Sequence, residues 1–226
     1  TGTNGKTTTT TLLTQVMEDL KKTFAGKLLN IKAIKLQPND PFTWASGWKS
    51  PFYCDNRKTL SYHDVRSFVK LELVHAILSH FPTANAVAGV ATGAIAQGAL
   101  VAEELALPYA YVRPKPKDHG MKNQIEGQLP EGAKVVVVED LISTGGSSLK
   151  AVAALREAGF EVVGMVASYT YGFPVAEAAF KEANVQLVTL TNYQSVVEKA
   201  LETGYIKKED VPMLDEWRCD PANWRK

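Results

Sequence analysis

The sequence predicts an α/β fold, in which helices cover a doubly wound, mostly parallel sheet of five strands, with a small hood on its N-terminal side. Three observations predict it. Val135–Val138 is a β-branched run without alternation, as expected of a parallel strand buried on both faces. Strand and helix patterns alternate without a long linker after residue 83. Small residues occupy the turns after two of the strands, at residues 91–94 and 143–147.

The first residues contain a pattern typical of nucleotide-binding loops. Thr1–Thr8 resembles the ATP loop of the Mur-type peptide ligases. Such a loop needs a preceding strand and a glycine five positions before Gly5, which these residues do not supply. Apolar residues then recur with helical spacing and predict an amphipathic helix over about Thr10–Ala25. We interpret residues 1–23 as a leader of uncertain origin, with a ligase fragment as the alternative.

Residues 24–60 are predicted to form the hood, and residues 61–226 the core of the domain. Gly26–Leu36 predicts a short helix. Phe42–Arg57 is rich in aromatic and turn residues, and two interpretations of it stay open. It is either a hairpin that caps the core or a cover whose aromatic rings lie over a planar ligand.

The core is predicted from a repeated order of strand and helix. Ser61 and Asp64 form a capping pattern at the start of its first helix, and Asn192 is expected to cap a later one. The expected elements are helix Ser61–Phe81, strand Ala86–Val90, a helix ending near Ala106, strand Leu107–Val112, the central strand, helix Leu149–Ala158, strand Val162–Tyr169, helix Phe173–Glu182, strand Val185–Leu190, a helix ending at Gly204 and helix Lys207–Trp217.

Acidic and hydroxyl side chains gather where the central strand ends. Glu139 and Asp140 follow the valines, and a turn of small residues leads into the next helix. The first turn of that helix offers unpaired N–H groups to an anion, and Gly145 and Gly146 let the backbone approach a phosphate closely. The two acids would repel a bare phosphate, so they suit hydroxyl groups, a cation or developing positive charge. A ribose phosphate has these features. An ordinary turn with one capping Asp would need neither the glycines nor the hydroxyls.

Two segments carry a family resemblance. Glu139–Ser147 resembles the phosphoribosyl pyrophosphate (PRPP) motif of the type I phosphoribosyltransferases, and Phe42–Pro51 resembles the N-terminal motif of the orotate phosphoribosyltransferases. The resemblance extends in separate pieces over about residues 24–226. It implies the type I phosphoribosyltransferase fold and transfer of ribose 5-phosphate from PRPP to orotate in pyrimidine (UMP) biosynthesis. It also implies Mg²⁺, held mainly by PRPP, and a homodimer with active sites shared across the interface.

The resemblance also implies roles for particular residues. The basic loop after residue 112 resembles the family's catalytic loop. The residues expected to bind PRPP are Ala91, Thr92, Gly93, Arg113, Lys117, His119, Glu139, Asp140, Leu141, Ile142, Ser143, Thr144, Gly145, Gly146 and Ser147. The residues expected to be catalytic are Lys117, Glu139 and Asp140, and those expected to contact orotate are Ser143 and the backbone near Phe52 and Tyr53.

Three positions depart from the pattern of some relatives. Ala45 stands where they carry a lysine, Tyr171 where they carry an orotate-binding arginine, and Pro114 where they carry a second base. How the carboxylate of orotate is held therefore stays open.

Composition limits the partners. With 45% apolar and 22% charged residues, the 226-residue chain has the composition of one globular domain, and its net charge of +1 provides no field to attract nucleic acid or a membrane. No apolar run is long enough to cross a membrane, and no signal-peptide pattern is visible. Cys54 and Cys219 make no disulfide framework, so a reducing cytoplasm is expected.

Two further alternatives concern function. The alternatives to transfer onto orotate are a phosphoribosyltransferase for another nucleobase and a non-catalytic regulator that binds PRPP. A regulator of that kind would need a DNA-binding module, of which the sequence shows no sign, and the presence of Lys117 and His119 favours an enzyme.

Overall fold

Strands and helices alternate along most of the chain. The structure, a computed structural model, describes residues 3–44, 47–115 and 124–225, with side chains from residue 14 onward. The helices are α1 (Thr3–Asn30), α2 (His63–His80), α3 (Ile95–Leu105), α4 (Gly146–Glu157), α5 (Pro174–Glu182), α6 (Tyr193–Glu202) and α7 (Val211–Cys219), with 3₁₀ helices at Asn56–Ser61 and Lys208–Asp210. The strands are β1 (Ile34–Leu36), β2 (Phe42–Thr43), β3 (Lys49–Ser50), β4 (Phe52–Cys54), β5 (Ala86–Val90), β6 (Tyr109–Val112), β7 (Ile125–Glu126), β8 (Lys134–Ile142), β9 (Glu161–Thr170) and β10 (Leu187–Asn192).

The central sheet has the strand order β10-β9-β8-β5-β6-β7. Strand β5 pairs in parallel with β6 and with β8, and β8 pairs in parallel with β9, whereas β7 runs antiparallel to β6. The predicted α/β fold with a mostly parallel sheet is confirmed. The predicted number of five strands is wrong, because β7 contributes a sixth within the described residues. Its two residues are too few to show an alternating pattern.

The strand order reverses at one place in this sheet. From β5 the chain moves outward to β6, and it later returns to the other side of β5 to form β8, β9 and β10. Loops that follow the two central strands therefore leave in opposite directions and open a crevice at the carboxyl ends of β5 and β8. In sheets of this type, ligands bind in that crevice.

Strand β8 lies between β5 and β9 in this sheet. Its four valines have no exposed surface, and they pair with β5 on one side and with β9 on the other. The strand was expected to end at the acids, but it continues to Ile142 because Leu141 and Ile142 still pair with β9. Glu139 and Asp140 thus lie within a strand and not after it.

The N-terminal segment differs from its prediction. One helix, α1, runs from Thr3 to Asn30, where a helix over Thr10–Ala25 and a second over Gly26–Leu36 were expected. Gly26 stays inside the helix, with the Lys199 side chain packed against its Cα. Residues 34–36 are a strand, because their alternating burial suits pairing with β4.

The start of α2 also differs. Ser61 was expected to cap this helix, but Tyr62 occupies the N-cap position and no side-chain capping bond forms. Ser61 instead ends the 3₁₀ helix that begins at Asn56, whose bonds draw the preceding residues into a tighter turn. The capping pattern therefore located the end of one short helix rather than the start of the next.

Contacts divide the chain into two compact units, Thr1–Cys54 with Thr191–Lys226, and Asp55–Leu190. In the first unit the buried Phe52 ring stacks on Trp217, with centroids 6.2 Å apart, and Trp44 meets Trp217 edge-on. In the second unit the core consists of apolar side chains from the central strands and from α4 and α5. The boundaries at residues 23 and 60 stay predictions.

Within the described part of the chain, none of the helices combines the length and the apolar character that crossing a membrane requires.

The cap of α6 gives a test of the fold. The Asn192 side chain accepts a hydrogen bond from the Ser195 backbone N–H at 2.9 Å, as the sequence predicted. We expect Asn192→Ala to lower the free energy of unfolding by about 1 kcal/mol, measured by urea denaturation, because that N–H loses its acceptor. Asn192→Asp keeps an acceptor and is the matched control. Equal losses in both variants would contradict the capping role.

Candidate active site

Glu139 is the more deeply buried of the two acids. It is 4% exposed, and both oxygens of its carboxyl group are engaged. One oxygen accepts from the Asp140 backbone N–H at 2.9 Å, and the other from the Ser148 hydroxyl at 2.8 Å. Burial, followed by repulsion from Asp140, raises the pKa of Glu139 to about 8. In this geometry Glu139 ties β8 to α4, so a direct contact with ribose through Glu139 stays a prediction.

Asp140 is half-buried and lies against the loop that follows β5. A Cβ atom built on Gly93 would collide with the Asp140 carboxylate, so this carboxylate occupies the space that a side chain at Gly93 would take. Burial raises the pKa of Asp140, and the positive charge of Arg57 opposes that rise. Asp140 is therefore the acid that the structure brings beside the predicted pyrophosphate loop.

The turn between β8 and α4 has the geometry of an anion site. Gly145 has a φ of 82°, and a Cβ atom there would lie 2.9 Å from the Phe180 ring. Gly146, by contrast, has no described atom within 4 Å of an added Cβ, so the space in front of it is open. Thr144, Gly146 and Ser147 are exposed at the N-terminus of α4, where unpaired N–H groups attract anions.

The loop after β5 is a tight turn of small residues. The Ala91 N–H donates to the Val112 carbonyl at 2.9 Å, the Ala94 N–H donates to the Val90 carbonyl at 3.0 Å, and the peptide bond between Ala91 and Thr92 is cis. Thr92 is exposed, and Ala91 and Gly93 are half-buried. The turn thus joins the ends of β5 and β6 beside the crevice.

Hydrogen bonds join the two ends of the basic loop. The Arg113 N–H donates to the Gln124 carbonyl at 2.8 Å, and the Gln124 side chain donates back to the Arg113 carbonyl at 2.8 Å. The Arg113 guanidinium lies 3.5 Å from the Glu126 carboxylate. Lys117 and His119, which were predicted to bind PRPP, lie outside the described residues.

A cavity of about 330 Å³ brings predicted site residues together from separate segments. It is lined by Ala91 after β5, Arg113 and Lys115 after β6, and Gly146 and Ser147 at the start of α4. Lys150, one turn further along α4, also lines it. Three cations and a helix N-terminus around one cavity favour an anionic ligand.

The residues predicted to contact orotate have mixed surroundings. Ser143 is half-buried in the turn before α4. The Phe52 ring is buried in the aromatic cluster of its own unit, and its backbone N–H donates to the Ser50 hydroxyl at 3.0 Å. Tyr53 pairs with Lys35 in the β1–β4 ladder, and its half-buried ring lies beside Phe42. The interpretation that these aromatic rings cover a ligand is therefore wrong for Phe52, because its ring is part of a core.

Sequence reasoning missed several residues at the site. Asn56 donates from its side chain to the Asp140 carbonyl at 2.6 Å, and Arg57 lies close enough to affect the pKa of Asp140. Lys150 lies three residues after Ser147, the last residue of the recognised motif. Lys150 could have been found from its position near the start of α4, but Asn56 lies 84 residues before its partner and shows no local signal.

The carboxylates of the site decide whether Mg²⁺ fits there. Among the side chains that the structure describes, no group of three or more His, Cys, Asp or Glu residues could hold a metal ion. Mg²⁺ commonly binds through one or two carboxylates with substrate phosphates and water, and so needs no such group. Asp140 offers one half-buried carboxylate of this kind, which fits a Mg²⁺ ion held mainly by a polyphosphate ligand.

Comparisons with known proteins agree on one family. Residues 75–200 match the phosphoribosyl transferase domain. The chain is 70% identical over 208 residues to an orotate phosphoribosyltransferase of Phocaeicola vulgatus, covering 92% of this chain and 98% of that protein. It is 63% identical over 208 residues to one of Porphyromonas gingivalis, covering 92% and 99%. A crystal structure of orotate phosphoribosyltransferase from Aeropyrum pernix is similar with a TM-score of 0.70 and 31% identity, covering 81% of this chain and 99% of that one.

The two glycines of the turn give a test of the anion site. We expect Gly146→Ala to leave the melting temperature unchanged, since its Cβ meets no described atom within 4 Å. We also expect it to weaken binding of inorganic phosphate about tenfold, because the methyl group occupies the path of the anion to the N–H groups. Gly145→Ala should instead lower the melting temperature, because of its positive φ and the Phe180 ring. Calorimetric titration and thermal denaturation measure the two effects, and unaltered phosphate binding in Gly146→Ala would contradict the placement.

The raised pKa of Glu139 gives a test of its burial. Between its ordinary value of 4.5 and about 8, the folded protein holds a proton that the unfolded chain has released. The free energy of unfolding of the wild type, relative to Glu139→Gln, should therefore fall as pH rises through this range. Urea denaturation at several pH values measures the difference. A relative stability that rises with pH would show that the carboxylate is charged in the folded state.

Proposed function

The chain belongs to the orotate phosphoribosyltransferase family, and we propose on this premise that it transfers ribose 5-phosphate from PRPP to N1 of orotate. The products are orotidine 5′-monophosphate and pyrophosphate, and the reaction serves pyrimidine (UMP) biosynthesis. The observation that carries the proposal is the cavity in which Ala91, Arg113, Gly146 and Ser147 meet, because each was expected to bind PRPP on sequence alone.

The chemistry needs opposite charges on the two sides of the ribose. Departure of pyrophosphate leaves a sugar with oxocarbenium character, so negative charge near the ring and positive charge near the leaving group stabilise the transition state. Asp140 supplies the negative charge at the end of β8. The structure supports Asp140 rather than Glu139 for this contact, since both oxygens of Glu139 are already engaged.

The turn before α4 suits the 5′-phosphate. Its exposed N–H groups and the hydroxyls of Ser143, Thr144 and Ser147 donate hydrogen bonds, and the open space at Gly146 admits the anion. Leu141 and Ile142 carry the strand into this turn and contribute their backbone. The 5′-phosphate would then fix the ribose beside Asp140.

Cations are available for the pyrophosphate. Arg113, Lys115 and Lys150 line the cavity, and the loop of Ala91, Thr92 and Gly93 presents backbone groups at its edge. We assign Lys117 and His119 of the basic loop to the same leaving group, by resemblance to the family's catalytic loop. Mg²⁺, bound mainly by PRPP and in contact with Asp140, would neutralise part of the pyrophosphate charge.

The assembly and setting of the reaction belong to the same proposal. We assign a homodimer in which the basic loop reaches the site of the neighbouring subunit, as the family resemblance implies. We place the reaction in the cytoplasm, since Cys54 and Cys219 form no disulfide framework. The contacts of orotate with Ser143, and with the backbone near Phe52 and Tyr53, stay predictions that the family resemblance implies.

The decisive experiment is an orotate absorbance assay with the purified chain. We expect consumption of orotate and release of pyrophosphate that require both PRPP and Mg²⁺. Hypoxanthine, adenine and uracil, offered in place of orotate, should give no comparable release of pyrophosphate. Release with another base and not with orotate would reassign the substrate, and release with none of them would refute the proposal.

Lys117 gives a test of the basic loop. We expect Lys117→Ala to lower kcat about a hundredfold with little change in melting temperature, because it removes positive charge from the leaving pyrophosphate. Lys208→Ala, at an exposed lysine of the other unit, is the matched control and should leave kcat unchanged. An unaltered rate in Lys117→Ala would contradict the loop assignment.

A further inference from the structure

A chain of buried side-chain hydrogen bonds lies behind the candidate acids. Its members are Ser168 on β9, Gln97 on α3, and Thr59 and Asn56 on the 3₁₀ helix, and none of them is more than 4% exposed. All of them belong to the unit that contains the crevice. None is part of the motifs that identified the site.

The direction of each bond follows from the chemistry of its acceptor. The Thr59 hydroxyl lies 2.7 Å from the Asn56 carbonyl, which only accepts, so the hydroxyl donates there. The Thr59 oxygen then accepts from the Gln97 side-chain NH₂ at 3.1 Å. This fixes the orientation of the Gln97 amide, whose oxygen accepts from the Ser168 hydroxyl at 2.9 Å. Every donor in this series of hydrogen bonds therefore points toward Asn56. In such an arrangement neighbouring hydrogen bonds polarise one another.

The chain ends on the backbone of the acid. The Asn56 side chain donates to the Asp140 carbonyl at 2.6 Å. Pairing of β5 with β8 ends at Gly89 and Val138, two residues before Asp140. Asn56 thus supplies a donor to a carbonyl that lies beyond the last residue of β8 paired with β5.

Asp140 is therefore held from two sides. Its carbonyl is bound by Asn56, and its carboxylate lies against the Cα atom of Gly93 in the loop after β5. The first contact fixes the backbone from which the side chain projects, and the second limits where the carboxylate can go. Ser168, at the other end of the chain, sits on β9 between residues 167 and 169, which pair with residues 139 and 141 of β8. The hydrogen bonds thus span from β9 through α3 and the 3₁₀ helix back to β8.

A buried polar chain of this kind is costly unless every member is satisfied, and apolar side chains would fill the same space at no such cost. Its members bond to one another and to backbone carbonyls. These bonds therefore fix the positions of the bonded groups and do not add apolar contacts to the core. The geometry that it specifies is that of the Asp140 backbone.

We propose that Asn56 is a positioning residue for Asp140, and that Thr59, Gln97 and Ser168 hold Asn56 in the orientation that this role requires. The inference rests on the proposed function, in which the Asp140 carboxylate faces the ribose of PRPP. Loss of these hydrogen bonds lets Asp140 shift while the substrate-binding groups elsewhere stay in place. The turnover number should therefore fall more than the free energy of unfolding. A displacement of about 1 Å at a reacting group lowers rates by up to about a hundredfold.

The test compares two matched substitutions. Thr59→Val removes the central hydroxyl of the chain. Thr191→Val removes an equally buried hydroxyl that donates to the Lys21 carbonyl at 2.8 Å in the other unit, with no link to the acids. Thr191→Val should lower the melting temperature because it removes one hydrogen-bond donor, and Thr59→Val should lower it at least as much because it also removes the acceptor of the Gln97 NH₂ group.

Kinetics separate the two variants. We expect Thr59→Val to lower kcat about tenfold with the KM for orotate unchanged, and Thr191→Val to keep the wild-type kcat. Thr59→Ser, which restores the hydroxyl, should recover most of the rate. Equal kcat values in Thr59→Val and Thr191→Val would overturn the inference while leaving the proposed function intact, and absence of orotate-dependent pyrophosphate release in the wild type would overturn both.

A second variant covers the case in which Thr59→Val does not fold. Ser168→Ala removes only the first donor of the hydrogen-bond series, so that the Gln97 side-chain oxygen loses this donor while its NH₂ group still donates to Thr59. We expect a smaller fall in kcat than for Thr59→Val, again with the KM for orotate unchanged. A wild-type kcat in Ser168→Ala would contradict the role of the chain.

Discussion

Burial of β8 at the centre of the sheet is the constraint on which the site depends. Its valines have no exposed surface, and the same strand carries two carboxyl groups into surroundings where charge is poorly solvated. Each carboxyl group meets this constraint differently. Glu139 engages a backbone N–H and the Ser148 hydroxyl, whereas Asp140 stays half-buried at the crevice with Arg57 as a nearby positive charge. The two neighbouring acids therefore differ in their surroundings, and the proposed function assigns only Asp140 to the ligand.

The hydrogen bond between Glu139 and Ser148 also connects β8 to α4. Because Ser148 binds Glu139 from the first turn of α4, the strand end and the helix N-terminus are fixed relative to each other. The anion site at that N-terminus and the carboxylate of Asp140 therefore share one rigid frame. A ligand that carries a phosphate and a sugar needs these two features at a set separation, and the Glu139–Ser148 bond maintains it.

The central strand and the turns beside it were predictable from sequence because their signals are local. Four valines in a row indicate a strand buried on both faces, and a turn of small residues before a helical pattern indicates an anion site. Strand β7 was not predictable, since two residues carry no period. Asn56 was missed for a different reason: its partner lies 84 residues away, and only the folded chain brings the two together.

Amino-acid composition alone could not decide what the aromatic segment at residues 42–57 does. Rings that cover a planar ligand and rings that form a small core have the same residue types and similar spacing, and so both interpretations stayed open. The structure places Phe52 against Trp217 and Tyr193, residues far along the chain that no local pattern could connect to it. The same holds for α1, whose continuity past Gly26 depends on packing against α6.

The hydrogen bonds between Arg113 and Gln124 bear on how the length of the basic loop can vary in this enzyme family. The chain leaves β6 and returns through β7 at almost the same point, because Arg113 and Gln124 bond to each other between the two strands. Adding or removing residues there changes the closure entropy only slowly with length, and it leaves the register of the flanking strands untouched. The loop that the proposed function assigns to the leaving group can therefore differ in length between relatives while the strands on either side of it keep their pairing.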